Sequence, residues 1–307
     1  MKTKQITLTI LAFVAGLGTV PAVAKLNVVA TTPDLGSIAA AIGGSQIQLT
    51  ILAKPTEDPH FVDAKPSFAV KLSRADVLIE GGAELEIGWL PPLVDQAANP
   101  RVRYGSPGRV LGNQGVSMLE IPEILDRSKG DIHAAGNPHY LTDPANAKIL
   151  AARLAETFSQ LDAANAATYR ANLARFTTAL DAKMAEWLKL MEPHRGRHVA
   201  AYHNSWVYFA KRFGLVIEDF LEPKPGIPPT PGHLSAVIAK MKAERCRVII
   251  CEPYQNRKTA EKVAAETGAI VVDVTQFPGG VKGTEEGYIA MMNHLVVSVA
   301  KALDAGR

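Results

Sequence analysis

The chain has 307 residues, 47% hydrophobic and 21% charged, with 33 basic against 30 acidic side chains. That apolar fraction supports packed cores and excludes a disordered or fibrous chain, and the near balance of charge gives no reason to expect a nucleic-acid partner. Beyond residue 24, no apolar run reaches the roughly 20 residues needed to cross a bilayer.

The N-terminus reads as an export signal. Lys2 and Lys4 precede an apolar run over 6–20, and Pro21, Ala22, Val23 and Ala24 close it with the Ala-x-Ala pattern that signal peptidase cleaves. The run is too short for a membrane span and ends in small residues, so residues 1–24 are predicted to be a signal peptide and the mature protein to be periplasmic. No cysteine follows the run, so no direct membrane anchor is expected.

From residue 25 the pattern alternates strand and helix. Residues 26–31 (LNVVAT) predict a strand, and a helix begins at Asp34 and is closed by Gly43 and Gly44. A strand over 47–52, a helix over 66–74, a strand over 76–80 and a short helix over 89–96 follow. This order implies a parallel sheet covered by helices. The stretch 105–136 is rich in turn residues and reads as loop with one short helix. Asp143 and Pro144 then start a helix to about residue 162, with Asp as N-cap and Pro at the first helical position.

The longest helical signal is 164–192. Leu173, Phe176, Leu180, Met184, Trp187 and Met191 recur at spacings of three and four, and Pro193 ends the run. At 1.5 Å per residue it is about 40 Å long, enough to join two lobes. The alternation then resumes, with strands at 198–203, 247–252 and 270–273 and helices at 205–212, 232–244, 259–267 and 286–303; 226–231 (GIPPTP) is a stiff loop. The expected fold is α/β: two lobes with parallel-type sheets flanked by helices, 25–163 and 194–307, joined by one long rigid connector helix at 164–193. Cys246 and Cys251 stand near the two ends of one predicted strand. Their Cα atoms would lie roughly 16 Å apart, against the ~7 Å limit for a disulfide, so two buried free thiols are expected.

Three of the eight histidines share a context. His60 ends EDPH in the loop after the second strand, His139 ends GNPH just before a helix, and His203 ends the strand VAAYH. In open α/β sheets ligands bind beyond the C-terminal strand ends, and three imidazoles from separate loops suit a zinc site. Their spacing fits no short zinc motif, so periodicity alone does not bring them together.

Four segments carry a resemblance. EDPHFVDAKPS with ADVLIEGGAELEIGWL, GNPHYLTDPANA, YHNSWVYFAKRFGL and GIPPTPGHLSAVIAKMKAERCRVIICEPYQN, in that order, resemble the zinc and manganese solute-binding proteins of ABC transporters. The resemblance covers nearly all of 25–307. It implies two α/β lobes, a metal in the cleft between them, and delivery to the membrane permease of an ABC importer by a monomeric capture protein. Carried over residue by residue, His60, His139 and His203 match ligand positions. The fourth position of that family, an aspartate, falls near 275–279, where this sequence has no acid. Asp273 and Glu252 are the candidates to replace it, either as ligands or as acids that orient a histidine, and a water is the third choice. Glu57, Asp58 and His133 are accessory candidates. Three nitrogens favour Zn(II); Mn(II), being harder, prefers more carboxylate, and the manganese members often carry glutamate where this chain has His203.

Two readings stand beside capture and delivery. A secreted zinc metallohydrolase would use Glu252 or Asp273 as general base, but the sequence has no HExxH and no GxSxG. A structural protein with a metal staple would unfold without its metal, whereas a capture protein survives empty.

Overall fold

The computed structural model describes residues 24–124 and 133–306. The signal peptide read at 1–24 therefore lies, apart from Ala24, outside the described residues. Two four-stranded parallel sheets form the described part. The first contains β1 (Leu26–Ala30), β2 (Ile47–Ile51), β3 (Val77–Glu80) and β4 (Arg109–Leu111), in the order β2-β1-β3-β4. The second contains β5 (His198–Ala201), β6 (Val216–Phe220), β7 (Val248–Cys251) and β8 (Ile270–Asp273), in the order β6-β5-β7-β8. The two sheets share one winding, although no sequence repeat signals it. The central strands are buried on both faces, which is why β3 (VLIE) and β7 (VIIC) are almost unbroken apolar runs.

Helices α1 (Pro33–Gly43), α2 (Pro66–Ser73), α3 (Leu90–Ala97) and α4 (Pro144–Leu161) accompany the first sheet. α4 starts as its sequence predicts: Pro144 opens it, and Asp143 accepts from Ala145 N at 2.9 Å. The long helix α5 (Ala166–Met191) follows, then α6 (Val207–Phe213), α7 (Pro231–Ala243), α8 (Arg257–Thr267) and α9 (Tyr288–Ala305). Among the described residues no helix is long and apolar enough to cross a membrane.

The edge strands β4 and β6 were not predicted. β4 has only three residues, too few for a pattern to show, and sits inside a turn-rich stretch. β6 reads VIEDF, whose two acids hide the strand pattern: Glu218 is exposed, while Asp219 is buried and paired with Lys240 at 2.8 Å.

α5 is packed along its length. Tyr169, Phe176, Leu180, Trp187 and Met191 are buried in one core that also contains Val28 and Ile79 of the first sheet and Val199 and Ile250 of the second. At its first end Asn172 Nδ2 donates to the Ile42 carbonyl at 2.7 Å; at its second Trp187 Nε1 donates to Asn293 Oδ1 at 3.2 Å. Polar ties add to this apolar seam. Tyr288 Oη donates to the Leu141 carbonyl at 2.6 Å, Tyr208 Oη to the Asn137 carbonyl at 2.8 Å, and Arg212 grips Asp143 with two bonds of 2.7 and 2.8 Å. A continuous close-packed core resists bending, so loop adjustment is the smaller motion available at the junction.

Candidate metal site at the junction of the sheets

Each histidine of interest is aimed by its own local structure. His60 lies in the loop after β2, and Asp58 Oδ1 accepts from both His60 N, at 3.0 Å, and His60 Nδ1, at 2.8 Å. Trp89 Nε1 donates to the Pro59 carbonyl at 2.9 Å and pins the same turn from below. His139 precedes a short 3-10 turn, Tyr140–Thr142. Its N–H donates to Asn137 Oδ1 at 3.0 Å and its carbonyl accepts from Thr142 Oγ1 at 2.9 Å. Gly136 lets this loop come close to the preceding segment: its φ is 97°, and a Cβ there would stand 2.6 Å from the Leu119 carbonyl oxygen. His203 follows β5, and its Nδ1 bonds Glu222, two residues beyond β6.

The three rings meet. The centroids of His60 and His139 are 5.2 Å apart, those of His60 and His203 5.5 Å, and those of His139 and His203 5.4 Å. One nitrogen from each lies within 4.8 Å of the others. His60 and His139 are buried, yet their Nε2 atoms have no hydrogen-bond partner. A buried polar atom without a partner costs about 1–3 kcal/mol, so two such atoms facing one point mark a place built for something else. Asp58 accepts from Nδ1 of His60 and Glu222 from Nδ1 of His203, so the Nε2 of each of these rings is the nitrogen turned away from its carboxylate.

Electrostatics agree with that role. His139 is held well below the ordinary imidazole range, first by burial and then by the neighbouring His60, His203 and His133, so it is neutral and able to bind metal. His203 is raised: burial opposes its charge, but the bond to Glu222 and the nearby Glu222, Glu252 and Asp58 carboxylates outweigh that. Burial pushes at Asp58 from the other side, and its bonds to His60 still hold it below the usual carboxylate value.

Of the five residues singled out from sequence, the structure gathers His60, His139 and His203. Glu252 is buried just past β7 and stands beside the group, not in it: its carboxylate accepts from Gln276 Nε2 at 3.0 Å, Gln255 Nε2 at 3.3 Å and Ser205 Oγ at 3.4 Å. Burial raises it to about 7. Asp273 stands outside the group. It ends the edge strand β8 on an exposed face and pairs with Arg257 at 3.4 Å. The His133 ring is 5.3 Å from that of His60 and lines an open cavity with Glu120, His139 and His203. Glu120 closes one wall of that cavity, accepting from Asn137 Nδ2 at 2.9 Å and Asn204 Nδ2 at 2.8 Å. Sequence reasoning missed Glu222, whose strand it did not see, and Gln276, because it looked at 275–279 only for an acid.

Fold and site together define a two-lobed substrate-binding protein with imidazoles at the meeting of its sheets. The profile of ZnuA, described as the zinc-uptake complex component A, periplasmic, matches residues 28–302, and the chain belongs to that family. The iron-binding protein YfeA of Yersinia pestis is 28% identical over 286 residues, 90% of this chain and 86% of that one. A crystal structure of ZnuA superposes with a TM-score of 0.76 at 24% identity, covering 91% of this chain and 99% of that one. FpvC of Pseudomonas aeruginosa, solved in complex with Mn2+, superposes at 0.75 with 21% identity over 92% of this chain and 100% of that one. The two structural likenesses show the shared fold. The chain is a substrate-binding protein of the metal ABC transporter type, and the metals named for these relatives differ.

Proposed function

We propose that this protein captures Zn(II) in the periplasm with His60, His139 and His203 and delivers it to the membrane permease of an ABC importer. The observation that carries the reading is the pair of buried, unpartnered Nε2 atoms on His60 and His139, within a group of three imidazole nitrogens. Three neutral nitrogens suit a borderline cation better than a hard one, which favours zinc over manganese. The ion is cargo here, not a resident cofactor, and the protein acts as a binding module without a catalytic step. The hydrogen bonds from Asp58 and Glu222 raise the basicity of the rings they hold and pre-set their aim, so binding needs little reordering of the site. The packed junction points to capture by adjustment of the histidine loops, with the lobes largely fixed.

Manganese supply is the second reading, favoured by the carboxylates of Asp58 and Glu222 within bonding distance of the histidines. Calorimetric titration of the chelator-stripped protein with Zn2+ and with Mn2+ separates the two. Tight zinc and weak manganese binding, both lost in His139→Ala, supports the first. Manganese binding that stays intact while zinc shows no preference moves the function to manganese.

A further inference from the structure

The loops that carry His139 and His203 are joined by a carboxylate outside the histidine cluster. Glu120 lies in the stretch after β4, and its φ of 55° is the left-handed backbone that a residue with a Cβ adopts only at a cost. Its neighbours hold it there. Asn137 N donates to the Leu119 carbonyl at 2.8 Å. Tyr208 Oη of α6 accepts from Leu119 N at 3.0 Å and donates to the Asn137 carbonyl at 2.8 Å. Backbone strain kept in place by its surroundings is a mark of function.

The Glu120 side chain lines the open cavity of about 240 Å³ beside the cluster, together with His139 and His203. Its Oε2 accepts from Asn137 Nδ2 at 2.9 Å and from Asn204 Nδ2 at 2.8 Å. These two amides belong to different loops. Asn137 stands two residues before His139, and its Oδ1 accepts from the His139 N–H at 3.0 Å. Asn204 follows His203 directly, in a tight turn where Ser205 N donates to the His203 carbonyl at 2.9 Å. Asn137 Nδ2 also donates to the Asn204 carbonyl at 2.8 Å. An amide nitrogen has two hydrogens, so both of those on Asn137 are used across this seam. His203 cannot draw away from His139 without breaking the bonds to Asn204.

We propose that Glu120 is a latch on release of the captured cation: by joining the His139 loop to the His203 loop it keeps both imidazoles on the ion, and cutting the joint speeds dissociation. Its role rests on the histidine cluster being the metal site. Glu120 is a positioning residue, acting through Asn137 and Asn204. It is exposed, so water competes for its bonds and the joint opens without disturbing the core shared by both sheets. That suits a protein that must hold its cargo tightly and still give it up.

The test follows zinc release from the loaded protein, residues 25–307, by stopped-flow mixing with an excess of a chromogenic chelator. Asn204→Ala cuts the joint and leaves the Glu120 charge in place; zinc should leave about tenfold faster than from wild type. Glu120→Ala should do the same, and keeps the test open if Asn204→Ala folds poorly. The exchanged pair Glu120→Gln with Asn204→Asp keeps the net charge and rebuilds the bond with donor and acceptor reversed, so it should recover most of the wild-type hold. A wild-type release rate in Asn204→Ala, even with a lowered melting temperature, would mark a merely structural bond and overturn the latch. So would an exchanged pair that releases zinc as fast as Asn204→Ala. The visible spectrum of Co2+-loaded Glu120→Ala should match that of wild type; a changed spectrum would make Glu120 a ligand of the ion and not a positioning residue. A wild type that holds no zinc to release removes the capture reading, and the latch with it.

Discussion

Glu86 gives the sharpest test of how the first sheet carries charge beneath the site. Its side chain is buried, with Oε1 accepting from Thr31 Oγ1 at 2.6 Å and Gly81 N at 2.7 Å. Burial, and then repulsion from Glu80, raises its pKa from 4.5 to about 7. A group whose folded value exceeds its unfolded one binds protons more tightly when folded. Its contribution is therefore fully present below about pH 4.5 and is lost as pH rises through about 7. At about 1.4 kcal/mol per tenfold change, the span from 4.5 to 7 corresponds to about 3 kcal/mol. Glu86→Gln keeps the acceptor oxygen and removes the charge. Relative to wild type it should be near neutral at about pH 5 and more stable by up to about 3 kcal/mol at about pH 8. Urea unfolding of the chelator-treated protein across that range measures it. A stability difference that does not change with pH would show that Glu86 is not a buried neutral acid, and the reasoning would be wrong.

Other consequences concern the site, the helix and the thiols. Because Glu222 helps keep His203 protonated above its ordinary value, zinc must displace a proton from that ring, and affinity should still be rising with pH above about 6.5. Glu222→Gln should end that rise at lower pH and weaken zinc at neutral pH by about 10–100-fold, read by competition titration at several pH values. Trp187→Ala empties a fully buried site in the core shared by both sheets, and should cost about 3–5 kcal/mol and lower the melting temperature of both lobes in a single transition. Two separate transitions would mean that α5 does not couple them. Cys246 and Cys251 are buried free thiols, pushed up by burial to about 11 and about 12. They should resist a thiol reagent at neutral pH in the folded protein and react fully in denaturant; fast reaction in the native state contradicts their burial.

Much of the fold can be read from the chain because its strongest signals are local. Pro144 behind Asp143, the unbroken 3–4 spacing from Leu173 to Met191, and the apolar runs VLIE and VIIC each specify an element without help from tertiary contacts. The edge strands escape because a three-residue RVL and an acidic VIEDF are held by their neighbours and not by their own pattern. The site divides in the same way. His60, His139 and His203 announce themselves by residue type and by position after strands or before a helix. Their partners do not: Glu222 reaches His203 only because β5 and β6 are adjacent, and Gln276 is brought inward by the Thr275 turn. Asp273 shows the opposite error. It sits at a strand end in sequence, but β8 is the outer strand of its sheet and the carboxylate turns to Arg257 and solvent.

The most direct test is a calorimetric titration of chelator-stripped residues 25–307 with Zn2+, alongside His139→Ala. One tight site of unit stoichiometry in wild type, lost in the variant while the apo protein melts cooperatively in both, is the result expected of a capture protein. Equal zinc binding in the two forms, or an apo wild type that is unfolded, would contradict the histidine cluster as the place where this protein holds its cargo.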